Sequence, residues 1–159
     1  MMKRVEANDP AALGEMGGRN FDEGNYYGAF EYWMKAAELG DKMAHYNLSL
    51  LYSKGRGVEK DETKKIFHLE EAAIQGNPYA RHNLANHEHE NGRFDRAVKH
   101  LIIAASLGYD RSIKLLKEYY KHGYVSKDDF AASLRAHKAA VDATKSSQRG
   151  IAENVPRWC

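Results

Sequence analysis

A chain of 159 residues with 43% hydrophobic side chains can bury a core of its own, and its mean hydropathy of −0.70 without a long apolar run excludes a membrane-spanning helix. Its 24 Lys and Arg against 22 Asp and Glu leave a formal charge of +2, which excludes the broadly basic surface of a general nucleic-acid binder. A single cysteine, Cys159, excludes an internal disulfide framework and any Cys-based zinc module, and points to a reducing compartment: the cytoplasm, without excluding the nucleus. Met1-Met2-Lys3-Arg4-Val5-Glu6 has no apolar stretch behind it and does not read as a secretory signal.

In chain order, residues 1–7 form a short lead-in, and Asp9-Pro10 predicts a helix start, with an oxygen cap ahead of a proline at the first helical position. This first helix carries Ala12 and Met16 on its apolar side. Gly14-Glu15-Met16-Gly17-Gly18 lies inside it, and without a preceding strand it reads as helix packing or local looseness, not a phosphate loop. A turn at Gly24 leads to a second helix with Ala29, Phe30, Trp33 and Ala37, ending at Ala36-Ala37-Glu38-Leu39-Gly40. The next helix shows Ala44, Leu48 and Tyr52 at i, i+4, i+8. An expanded turn, Gly55 to Asp61, follows, in which Val58 is expected to anchor and Asp61 to cap. Ile66, Leu69 and Ala73 then lead to Ala72-Ala73-Ile74-Gln75-Gly76. Asn77-Pro78 opens another helix with Ala80, Leu84 and Glu88, and its partner carries Ala97, Leu101 and Ala105 up to Gly108. The last pair has Ser112, Leu116 and Tyr120, a turn at Gly123, a capping-box-like Ser126 to Asp129, and Ala139-Ala140-Val141-Asp142-Ala143, which has lost the glycine. Residues 144–159 break the periodicity and contain Gly150 and Pro156, so a flexible C-terminal tail is expected there.

Ala37, Ala73, Ala105 and Ala140 are separated by 36, 32 and 35 residues, a period that means stacked helix pairs. Tyr46-Asn47-Leu48-Ser49-Leu50-Leu51-Tyr52, then Gly55-Arg56-Gly57-Val58-Glu59-Lys60-Asp61, then Ala72-Ala73-Ile74-Gln75-Gly76 resembles the Sel1-like repeat, one of the tetratricopeptide-like helical arrays. The family expects Leu-Gly in the first helix; Leu48-Ser49 and Leu84-Ala85 keep a small residue, while Leu116-Lys117 does not, so the fourth unit reads as a terminal cap. The resemblance implies an all-α, right-handed solenoid of about four antiparallel helix pairs over residues 8–143, acting as a non-enzymatic adaptor for a peptide or protein partner. Alternatives carried by relatives are a β-lactamase-like hydrolase and a repeat fragment of a larger ubiquitin-ligase-type protein. The hydrolases, however, are cysteine-rich, and no zinc module is present here.

In such arrays the first helices line the concave side. With Leu48 at the centre of the buried face and 100° per residue, Met43, Tyr46, Leu50 and Lys54 face the groove, with Asn47 at its edge. The same positions give Tyr79, His82, Asn86 and His89, with Asn83 at the edge, and then Arg111, Lys114 and Glu118. Aromatic area and amide groups suit an extended peptide. Residues 1–110 carry a net −3 and residues 111–159 a net +5, which suits either an acidic partner or a solvated capping face. His87-Glu88-His89-Glu90 is not a zinc motif: side chains two apart on a helix point about 200° from each other, so no metal or cofactor is expected. His87 and Glu88 replace apolar Leu51 and Tyr52, which predicts a looser or wetter core in the third unit. With no phosphate loop and no nucleophile beside a base, no catalytic residue is assigned.

Overall fold

The computed structural model of the chain describes residues 8–153, and among these every regular element is an α-helix. In chain order they are α1 (Pro10–Asp22), α2 (Tyr26–Glu38), α3 (Ala44–Lys54), α4 (Glu62–Ile74), α5 (Pro78–Glu90), α6 (Phe94–Ser106), α7 (Asp110–Lys121) and α8 (Lys127–Glu153). They follow one another as helix hairpins, and the chain divides into two compact units, one ending at Leu84 and the other beginning at Ala85, inside α5.

The helices start where the sequence supplies an oxygen. Asp9, Asn25, Asp61, Asn77 and Ser126 accept from the backbone N–H three residues on, at 3.0–3.1 Å. Each satisfies a donor that a helix cannot pair internally, worth about 1 kcal/mol.

Helix ends explain the repeat signature. In Ala36-Ala37-Glu38-Leu39-Gly40 the Gly40 N–H donates to the Ala37 carbonyl and the Asp41 N–H to the Ala36 carbonyl, at 3.1 and 2.9 Å. The same two bonds close α4 at Ala72-Ala73 through Gly76 and Asn77, and α6 at Ala104-Ala105 through Gly108 and Tyr109. The glycines sit at φ of 90°, 91° and 88°, a left-handed conformation that side chains resist. Ala36, Ala72, Ala104 and Ala105 are fully buried and Ala73 nearly so, because their small side chains let neighbouring backbones approach.

The fourth copy shows what the glycine does. Ala139-Ala140-Val141-Asp142-Ala143 lacks it, and α8 does not stop there: residues 144–153 continue the helix, with the Thr144 hydroxyl donating to the Ala140 carbonyl. The expected tail at 144–159 is corrected to helix as far as Glu153. Without the glycine stop the helix propagates past Ala143, although residues 142–149 are exposed and Ser, Thr and Gly150 are only weak helix formers. Residues 154–159, including Trp158 and Cys159, lie outside the described residues, as does the 1–7 lead-in.

In the unit ending at Leu84, Leu13, Ala29, Trp33, Ala36, Ala44, Leu48 and Leu51 form one core cluster. Val58 is packed against it from the expanded turn, as its apolar character predicted. Gly17 is a packing device: a Cβ there would lie 2.3 Å from Trp33 Nε1, and that indole N–H donates to the Gly14 carbonyl at 3.1 Å, whereas a Cβ on Gly18 would meet nothing. A second cluster joins Leu69, Ala72 and Ala73 of α4 to Ala80 and Leu84 of α5, with Tyr46 against it. In the unit beginning at Ala85, Ala97, Val98, Leu101 and Ala105 of α6 meet Leu116 and Tyr119 of α7, and α8 is packed on both helices. Here Tyr119, not Tyr120, is the buried ring. Tyr120 is 38% exposed and stacks on Phe130 at 4.8 Å, so the buried positions of α7 run Ser112, Leu116, Tyr119, one helical turn closing at i+3 in place of i+4.

Candidate functional site

In the unit ending at Leu84, the expected groove residues are Met43 just ahead of α3, four on α3 and three on the first half of α5. Met43, Leu50, Lys54 and Tyr79 are exposed, and Tyr46, Asn47 and Asn83 are half-buried. The Tyr46 and Tyr79 rings lie 5.7 Å apart, tilted by 39°, forming an aromatic shelf across the two helices. Asn77, which caps α5, also holds Met43: its Nδ2 lies 3.4 Å from the Met43 sulfur. No residue described here accepts from or donates to the side-chain amides of Asn47 and Asn83. Each presents two donors and an acceptor beside the shelf.

His82 is the exception. Expected to face the groove, it is only 6% exposed. Helix α5 is buried around more of its girth than a single buried face allows, since Ala80, His82, Leu84, Ala85 and Glu88 are all covered. The helical-wheel arithmetic assumed one buried stripe and therefore mislaid this residue.

In the unit beginning at Ala85, Asn86, His89, Arg111, Lys114 and Glu118 are all exposed, as expected. Several, however, already serve their own chain. His89 Nδ1 is 2.6 Å from the hydroxyl of buried Tyr119, and the His89 ring meets Phe94 edge-on at 5.1 Å. Burial, with Tyr124 nearby, raises the Tyr119 hydroxyl above its ordinary value. Lys121 donates to the Glu118 carboxylate at 3.0 Å and holds it below the usual range, while His122 Nδ1–H donates to the Glu118 main-chain carbonyl.

Glu88, expected to loosen or wet the third unit's core, is accommodated by ion pairing. It is 5% exposed, its Oε2 accepts from Arg93 Nε, and Arg96 Nε lies 3.6 Å from the same oxygen. Burial opposes its ionisation, but the Arg93 hydrogen bond and the charges of Arg93 and Arg96 prevail and keep its carboxyl below the usual range. Arg93 and the first turn of α6, which carries Arg96, also line an open depression of about 410 Å³ with Phe94, Asp95 and Tyr124. The Glu88 to Arg93 spacing across a glycine turn could have announced the pair, because the turn places the residue before the helix end against the one after it.

A second polar contact had no signal in the local pattern. His45 of α3 and His68 of α4 meet with their Nδ1 atoms 3.0 Å apart. His68 is buried, stacked on Tyr52 at 5.5 Å and edge-on to Phe67. Desolvation, aided by the charges of His45 and Lys64, lowers its pKa to about 4. Among the described residues no three His, Cys, Asp or Glu side chains are grouped to hold a metal ion, and no helix is long and apolar enough to cross a membrane.

The Sel1 repeat matches residues 11–41, 42–77 and 78–109. Over 55 residues the chain is 38% identical to the DAP3-binding cell death enhancer 1 of Rattus norvegicus, covering 35% of this chain and 11% of that protein. Over 44 residues it is 50% identical to the ERAD-associated E3 ubiquitin-protein ligase component HRD3B of Arabidopsis thaliana, covering 28% of this chain and 7% of that protein. The matches thus span only about a tenth of those relatives' lengths. Among solved structures, a protective antigen of uropathogenic Escherichia coli with an SLR fold superposes with a TM-score of 0.74 at 28% identity, covering 89% of this chain and 32% of the other. A Sel1 repeat protein of Oxalobacter formigenes gives 0.68 at 26% identity, covering 86% and 59%. Sel1 repeats are generally modules of protein interaction. Three matched repeats, closed by the same alanine and glycine hydrogen bonds, place this chain in the Sel1 repeat family.

Proposed function

We propose that the chain is a non-enzymatic adaptor that binds an extended peptide or protein segment along the α3 and α5 face of the unit ending at Leu84. The observation that carries this reading is the pairing of the Tyr46–Tyr79 shelf with the partner-free amides of Asn47 and Asn83. An aromatic shelf contributes contact area at little entropic cost, and side-chain amides can bond the main chain of a segment of any sequence. Met43 and Leu50 add apolar surface, and Lys54 supplies a cation at the end of α3 for an acidic residue of the ligand. Two relatives point the same way by name, one as a DAP3-binding protein and one as a component of a ubiquitin ligase. Action as a repeat segment within such an assembly is the second reading, supported by the HRD3B match.

The test is affinity capture with the wild-type chain and with Tyr46→Ala/Asn83→Ala, after circular dichroism shows that the variant is folded. The expected result is that proteins retained by the wild type are released by the double variant. An unchanged set of retained proteins would sink the assignment.

A further inference from the structure

We propose that the facing His45 and His68 imidazoles of the second repeat form an acid-sensitive latch between α3 and α4, closed while the two rings share one Nδ1 proton and opened when both Nδ1 atoms carry one. The inference is independent of the peptide-binding reading.

The geometry dictates the rule. At 3.0 Å the two Nδ1 atoms make a hydrogen bond only if one is N–H and the other a lone pair. A first added proton goes to Nε2 of the donor ring and leaves that bond intact, now charge-assisted. A second must go to the accepting Nδ1. The contact then becomes N–H against N–H between two imidazolium rings, which is both sterically and electrostatically repulsive.

The surroundings give the second proton nothing to lean on. His68 is 6% exposed, so a charge there is poorly solvated. From α3 it faces His45 and the Tyr52 ring, stacked at 9°. On its own helix it has Phe67 and Lys64, and the Lys64 ammonium lies 5.6 Å from the Tyr52 ring centre. Phe30 of α2 meets Tyr52 at 6.1 Å and brings no charge. The charges acting on His68 are those of His45 and Lys64, both positive when protonated; no carboxylate of α2, α3, α4 or α5 offsets them. His68 accordingly stays neutral down to about pH 4.

The sign follows from linkage. An unfolded chain protonates His68 near 6.5, and the folded one refuses that proton until about 4. Folding stability from this residue is therefore whole above 6.5, falls as the pH drops through the window, and is gone once the folded ring itself protonates. The latch acts on the α3/α4 hairpin, whose helices carry the two rings.

Imidazole NMR on the full wild-type chain tests this without any variant. His68 is expected to titrate near pH 4 with its Nδ1 resonance shifted by the shared proton above that point, and α3 and α4 amides are expected to shift together with it. A His68 midpoint near 6.5, or titration that leaves α3 and α4 unmoved, would overturn the proposal. In a second measurement, wild type and His68→Phe are melted at pH 7 and pH 4.5. The wild type is expected to lose more in Tm between the two, because carboxylate titration is common to both chains. Equal losses would overturn the proposal as well.

Discussion

The two units differ in how many of their polar side chains are committed to partners within the chain. On α3 and the start of α5, the side-chain amides of Asn47 and Asn83 bond nothing among the described residues, beside two tyrosine rings in contact. From Ala85 onward some of the outward groups are engaged, while Asn86, Arg111 and Lys114 make no side-chain hydrogen bond among the described residues. His89 reaches Tyr119, Glu118 holds Lys121, and the inward Glu88 gathers Arg93 and Arg96. Polar groups committed within a unit stabilise that unit, whereas groups left partner-free are available to a ligand.

The largest expected effect breaks the internally paired side. Glu88→Gln leaves two guanidinia facing a neutral amide in a nearly dry position. It should cost about 2–3 kcal/mol, the low end for a buried pair because both arginines keep part of their solvent. Chemical denaturation followed by tryptophan-independent circular dichroism would measure it. The same group has a pH signature. Its folded carboxyl titrates below the usual range, so its contribution is present above about pH 4.3 and is lost as the pH falls through the lower folded value. Glu88→Gln should flatten that part of the acid-denaturation profile.

The next effects fall on the other side. Tyr46→Ala should weaken peptide binding by about 30-fold, the loss expected for an aromatic anchor worth about 2 kcal/mol. Asn83→Ala should weaken it by about 5-fold, with Tm unchanged because no bond within the chain is lost. Titration calorimetry with a captured partner segment separates them, and a drop in Tm for Asn83→Ala would show the amide to be structural. Smallest of all, Lys121→Ala should leave Tm close to unchanged, as both members of that exposed pair remain hydrated. A marked drop would show that the exposed partners in this unit are also structural.

What the chain pattern could and could not reveal follows the same division. The repeats, their oxygen caps and the glycine stops were legible because each is a local rule, written within about five residues. The missing glycine after Ala140 was legible too, but its consequence was misjudged: without a stop, α8 continues to Glu153. The exposure of Met43, Leu50 and Lys54 followed from helical periodicity, whereas the burial of His82 did not, because α5 is covered on more than one face. His45 with His68, and Arg96 with Glu88, are side-chain meetings between different helices, and periodicity within one helix carries no information on them. Ala143→Gly would test the stop rule itself: α8 should then end near residue 142, and amide exchange beyond it should approach that of an open chain. Continued protection there would show that glycine is not the stop.

The central claim is that partner-free amides beside the Tyr46–Tyr79 shelf mark the binding face. Its most direct test is amide shift mapping of the full chain, titrated with an extended peptide selected against it from a random library. The account predicts that the largest shifts fall on Tyr46, Asn47, Leu50, Tyr79 and Asn83, including the Asn side-chain amides. Shifts confined to Arg111, Lys114 and Glu118, with Asn47 and Asn83 unmoved, would contradict it.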